Sequence, residues 1–162
     1  MKKVLLILAC GIATQLSYAQ ATPKWADKAK KAVFSIVTYD KDNKIKNTGN
    51  GFYINENGTA LSDYTLFEGA ERAVIINADS KELPVLRILG ANSMYDIVKF
   101  NTEADKKTIA LKSASQPASV GETVYLLPYS TQKAATCQTG TVTKVDTIGD
   151  KAYYYTCLLY TS

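Results

Sequence analysis

From Val33 to Thr156 the chain is a succession of short runs rich in Val, Ile, Tyr, Phe and Thr, separated by turn-forming clusters. The runs are Val33–Tyr39, Gly51–Ile54, Thr59–Ser62, Arg72–Ala78, Glu82–Leu89, Tyr95–Asn101, Thr123–Leu127, Ala135–Val145 and Lys151–Thr156. β-branched and aromatic side chains fit a pleated, half-buried surface, and runs this short bury enough only when several pair side by side. The cadence predicts an antiparallel all-β barrel or sandwich. Asn57-Gly58 lies between two runs and predicts a hairpin. Asp40–Lys44, Asp79-Ser80-Lys81 and Asp146–Asp150 read as further turns. Asp40 and Asp42 do not make a calcium loop, because the glycine and distal glutamate of such a loop are missing. Ser62 or Asp63 is expected to cap a single helical turn at Tyr64–Gly69.

The two ends differ from this body. Met1-Lys2-Lys3, the apolar stretch Val4–Leu16 and the small residues Ser17 and Ala19 have the three-part form of a secretion signal, with cleavage expected after Ala19. The stretch is too short and interrupted for a membrane span. Ile7-Leu8-Ala9-Cys10 loosely resembles a lipobox, but Val4–Ala9 is a very short apolar segment for one. Residues 20–32 are expected to be helical after Pro23, with Trp25, Ala29 and Ala32 on one face and Lys24, Lys28 and Lys31 on a solvated one. Cys157-Leu158-Leu159-Tyr160-Thr161-Ser162 is the peptide encoded by TGT-CTC-TTA-TAC-ACA-TCT, a transposase adapter sequence. Residues 157–162 are therefore expected to be a sequencing artefact; the other reading is a genuine apolar strand.

Without the signal the +4 charge loses Lys2 and Lys3, and a surplus of +2 argues for neither nucleic acid nor anionic membrane. Of the three cysteines only Cys137 lies within 20–156, as a buried thiol or as half of a pair whose partner is elsewhere. The chain contains no histidine, which removes the commonest general base at neutral pH and the commonest metal ligand. With one cysteine left, no Cys/His zinc site can be assembled, and no phosphate- or dinucleotide-binding glycine motif occurs. No metal and no cofactor are expected.

Five segments in order resemble the HtrA/DegP-like trypsin-type serine peptidases. Gly49-Asn50-Gly51-Phe52-Tyr53-Ile54 is similar to the family's G-S-G-F-x-I, and Asn57-Gly58 followed by Leu61-Ser62-Asp63-Tyr64-Thr65-Leu66 to its N-G turn and L-T-N-x-H-V. Leu89-Gly90-Ala91 with Tyr95-Asp96-Ile97-Val98-Lys99-Phe100 resembles V-G-x-D and D-L-A-x-L-K. Val120–Tyr125 and Thr139-Gly140-Thr141-Val142 resemble the V-G-x-x-V and T-x-G-x-V segments. The resemblance runs from about Ala32 to Thr156 and implies two antiparallel β-barrels: a first, complete one over about 33–101, and part of a second over about 120–156.

On this alignment Asp96 matches the aspartate that orients the catalytic histidine, and Thr65 stands where that histidine would be. A threonine hydroxyl has no useful basicity at pH 7. In a Ser-His-Asp mechanism, loss of the imidazole leaves only the residual ~10³–10⁴-fold acceleration from oxyanion hole and binding. The family's G-N-S-G-G segment, which carries the nucleophile, would follow Thr156. Asp96 is expected to be a structural, buried carboxylate accepting from the Thr65 hydroxyl or nearby N–H groups. The resemblance thus implies a secreted or periplasmic bacterial peptidase homologue, non-catalytic, serving as a binding or scaffold module for a polypeptide ligand, with a further C-terminal region. Two alternatives stand beside it: a peptidase completed by a missing C-terminal segment, and an unrelated secreted β-barrel binding domain.

Overall fold

The computed structural model describes residues 23–103, 108–127, 129, 137–148 and 152–160; the expected signal, its cleavage site and residues 20–22 lie outside them. The described chain begins with a five-residue helix, α1 (Ala26–Lys30). Six strands follow: β1 (Val33–Tyr39), β2 (Ile45–Tyr53), β3 (Thr59–Ser62), β4 (Arg72–Ile76), β5 (Glu82–Asn92) and β6 (Ile97–Thr102). They close into an antiparallel barrel in the order β1-β2-β3-β6-β5-β4. Three more strands, β7 (Thr123–Leu126), β8 (Gln138–Ile148) and β9 (Ala152–Tyr160), form a separate sheet in the order β7-β8-β9. The expectation of an all-β chain with a complete first barrel and a partial second one is met.

Alternation along the strands fills the barrel. Phe34 and Ile36 of β1, Tyr53, Ala60, Ile75, Leu83, Val98 and Phe100 form one buried cluster. Phe34 sits edge-on to Tyr53 at 4.8 Å and to Phe100 at 6.2 Å, an arrangement in which ring edges meet ring faces. Glycine is required beside it. A Cβ at Gly51, the partner of Phe34 across β1 and β2, would stand 2.5 Å from the Phe34 ring. Val33–Thr38 is buried throughout, so β1 is covered on both faces.

Three turns use one device. Asp40 Oδ1 accepts from the N–H groups of Asp42 and Lys44, Asn55 Oδ1 from Asn57 and Thr59, and Asn77 Oδ1 from Asp79 and Lys81. In each turn the third residue after the anchoring side chain has positive φ: Asn43 at 58°, Gly58 at 80° and Ser80 at 59°. The Asn57-Gly58 hairpin forms as expected, in a loop where only Gly58 is left-handed.

Several boundaries differ from the sequence reading. The apolar face of α1 is Ala26 and Ala29, with Ala32 buried just beyond, whereas Trp25 is half exposed and meets the Tyr125 ring edge-on at 5.0 Å. A helix this short presents about one turn, so Trp25 falls outside its buried side. β2 starts at Ile45, six residues early, because pairing to β1 holds Ile45–Asn50 although no hydrophobic alternation marks it. β8 runs through Asp146-Thr147-Ile148, which were expected to turn; Asp146 pairs with Tyr154 and Thr147 with Tyr153. β9 extends past Thr156 to Tyr160, with Cys157 opposite Val142. Cys137 precedes β8 and is half-buried rather than buried in a strand. It lies five positions along the chain from Val142, the partner of Cys157. That is about 17 Å, so the two thiols do not reach each other. No helix among the described residues is long and apolar enough to cross a membrane.

Candidate functional site

Thr65 and Asp96 lie 31 residues apart in sequence and meet at one end of the barrel. β3 delivers the chain to a 3-10 turn, Tyr64–Leu66, and Asp96 sits in the connection from β5 to β6. Neither expected cap works at this turn. Ser62 Oγ donates instead to the Asn50 carbonyl at 2.7 Å, and the Asp63 side chain makes no cap bond. The orphan donors are taken by Asp96 from outside: its carbonyl accepts from Tyr64 N–H at 3.2 Å, and its Oδ1 accepts from Thr65 N–H at 2.7 Å. The Thr65 hydroxyl donates to the same carboxylate, lying 2.8 Å from Oδ1 and 2.7 Å from Oδ2. Asn47 Nδ2 serves the far end, donating to the carbonyls of Thr65 and Leu66 at 3.4 and 3.2 Å.

The sequence-derived pair is therefore brought together, and the carboxylate accepts from Thr65 as expected. One premise fails: Asp96 and Thr65 are both exposed, so no buried charge is being compensated. Asp96 has φ +51°, a left-handed conformation that aspartate tolerates better than most side chains. The Thr65 hydroxyl, then the Thr65 N–H, hold its carboxyl below the usual carboxylate range. Partial burial, and secondarily repulsion from Asp96, push neighbouring Asp63 upward. A carboxylate so stabilised as its anion is a weak base at neutral pH, and the threonine hydroxyl beside it is a donor without basicity. Asn47 was missed because it lies in the half of β2 that carries no hydrophobic pattern. No cluster of three or more His, Cys, Asp or Glu suited to a metal occurs among the described residues.

No family model matches the chain, and no curated protein does. Solved structures match by shape. The serine endoprotease from Yersinia pestis superposes with a TM-score of 0.63 at 16% identity, covering 74% of this chain and 43% of the other. The HtrA-type protease AlgW with tripeptide gives 0.65 at 16% identity, covering 80% of this chain and 42% of the other. A variant of AlgW, also with tripeptide, gives 0.65 at 15%, covering 78% and 40%. The chain thus spans less than half the length of these proteins, and over that span it has the trypsin-like fold of HtrA-type serine proteases.

Proposed function

We propose that the protein is a secreted or periplasmic, non-catalytic homologue of trypsin-like serine peptidases that acts as a binding or scaffold module for polypeptide. The observation that carries this reading is the engagement of Asp96 by the hydroxyl and N–H of Thr65, in a chain without histidine. The carboxylate that would orient a catalytic base is occupied by a group that cannot be one. On the motif resemblance, Thr65 replaces the histidine and Asp96 is a structural remnant. The signal-like pattern of residues 1–19 supports export, and the tripeptide in the AlgW structures supports a polypeptide ligand for this fold. Under this reading 33–156 is an incomplete peptidase domain and 157–162 is adapter-derived.

Incubating the protein with an unfolded casein substrate tests the proposal. No cleavage is expected. Cleavage that disappears on Asp96→Ala overturns it. The alternative is a working peptidase completed by further chain. Covalent labelling by an active-site-directed phosphonate would support that alternative; absence of labelling on the complete protein would count against it.

A further inference from the structure

The opposite end of the barrel holds a second feature. There the start of β1, the end of β2, the end of β4 and the start of β5 come together, while Thr65 follows the far end of β3. The backbone after β6 returns across this end, with Leu111 N–H donating to the Tyr53 carbonyl at 2.9 Å. Beneath it lies a recess of about 490 Å³, within the ~300–1,000 Å³ typical of small-molecule sites. Buried Tyr53 and Leu83 and half-buried Ile109 supply much of its wall, together with Asn77; exposed Lys31 and Asp79 bring one charge of each sign.

Tyr53 is the unexpected member. It is 4% exposed, its ring packs on Phe34, and among the described residues its hydroxyl has no hydrogen-bond partner. No buried side-chain oxygen among the described residues lacks a partner, so this unpaired hydroxyl is not sealed in the core but accessible from the recess that Tyr53 lines. Burial pushes its pKa up to about 12, so it stays a neutral donor across the physiological range. Lys31 and Asp79 are not paired with each other or with other described residues. An anionic ligand would face Asp79 unfavourably and a cationic one Lys31. A zwitterion satisfies both.

We propose that this recess binds a dipeptide-sized zwitterion with an apolar side chain. Its carboxylate meets Lys31, its ammonium meets Asp79, its apolar group rests on Leu83 and Ile109, and one of its oxygens accepts from the Tyr53 hydroxyl. The site is separate from the Thr65–Asp96 end and does not depend on the function proposed for it.

The test is calorimetric titration of the full chain with glycyl-leucine, with N-acetyl-glycyl-leucine and with glycyl-leucine amide, alongside thermal melts of wild type and Tyr53→Phe. Saturable binding of glycyl-leucine at or below about 1 mM is expected, with both capped forms at least about tenfold weaker. Tyr53→Phe keeps the ring against Phe34 and removes a hydroxyl with no partner among the described residues. It should therefore melt at or above the wild type without ligand while weakening glycyl-leucine binding about 3- to 10-fold. Absence of saturable binding up to about 10 mM overturns the proposal. So does equal binding of the capped forms, binding unchanged in Tyr53→Phe, or a lower melting temperature of that variant, which would mean that the hydroxyl serves the fold.

Discussion

Asp96 does with one residue what a local cap would do at the turn it serves. Its carbonyl and carboxylate take donors from Tyr64 and Thr65, and its positive φ lets both point at the same turn. The pH dependence follows from its lowered pKa. A carboxyl held below its unfolded value of about 3.9 contributes stability that is fully present above that value and fades as pH falls through the folded one. Thermal melts between about pH 6 and pH 2 should therefore show the wild type losing its advantage over Asp96→Asn as the pH drops below about 4, with the two curves converging in acid. Parallel curves would mean that the carboxylate is not held by Thr65 in solution. Both groups are exposed, so the difference is expected to be small and to shrink with added salt.

Each of the first three turns is anchored by one side-chain oxygen that satisfies two backbone donors. Asn55 is the most consequential, because the loop it holds sets the register of β2 against β3 and thereby delivers β3 to the Thr65 turn. Asn55→Ala is expected to cost about 1 kcal/mol, comparable to loss of a helix cap, measured by urea unfolding. Asn55→Asp keeps the acceptor and should recover most of that stability. Equal losses in both variants would show that the loop is held by Gly58 and strand pairing alone. The 3-10 turn differs in kind: its partners, Asn47 and Asp96, come from β2 and from the β5–β6 connection, so it exists only once the barrel has closed.

The whole molecule is a closed barrel joined to an open sheet. Closure leaves the first six strands without edges, whereas β7 and β9 are edges among the described residues. Ala152–Thr156 carries no charge, proline or glycine, and Tyr153 is 56% exposed. Such a strand templates pairing with another chain. The isolated chain should therefore associate with rising concentration in sedimentation experiments, and Tyr153→Lys should shift it toward monomer by placing a charge on that strand. A wild-type chain that stays monomeric at about 100 μM would show that the exposed strand is otherwise protected.

The order of short β runs, the Asn57-Gly58 hairpin, the exact spans of β1 and β3 and the pairing of Thr65 with Asp96 were legible in the sequence. Their signals are local patterning, turn chemistry and a recognisable order of motifs. The first half of β2 was not, because its residues are held by β1 rather than by any pattern of their own. Nor was the extension of β8 through Asp146, where cross-strand pairing with Tyr154 outweighs the turn propensity of the segment. The sequence by itself determined a β chain with no histidine to act as base. Only the tertiary structure decided that Asp96 is exposed, that Asn47 and Asp96 together hold the Thr65 turn, and that Tyr53 lines a recess with its hydroxyl unpaired among the described residues. Those outcomes depend on which strands become neighbours when the barrel closes, and contacts between segments tens of residues apart leave no periodic trace in the chain.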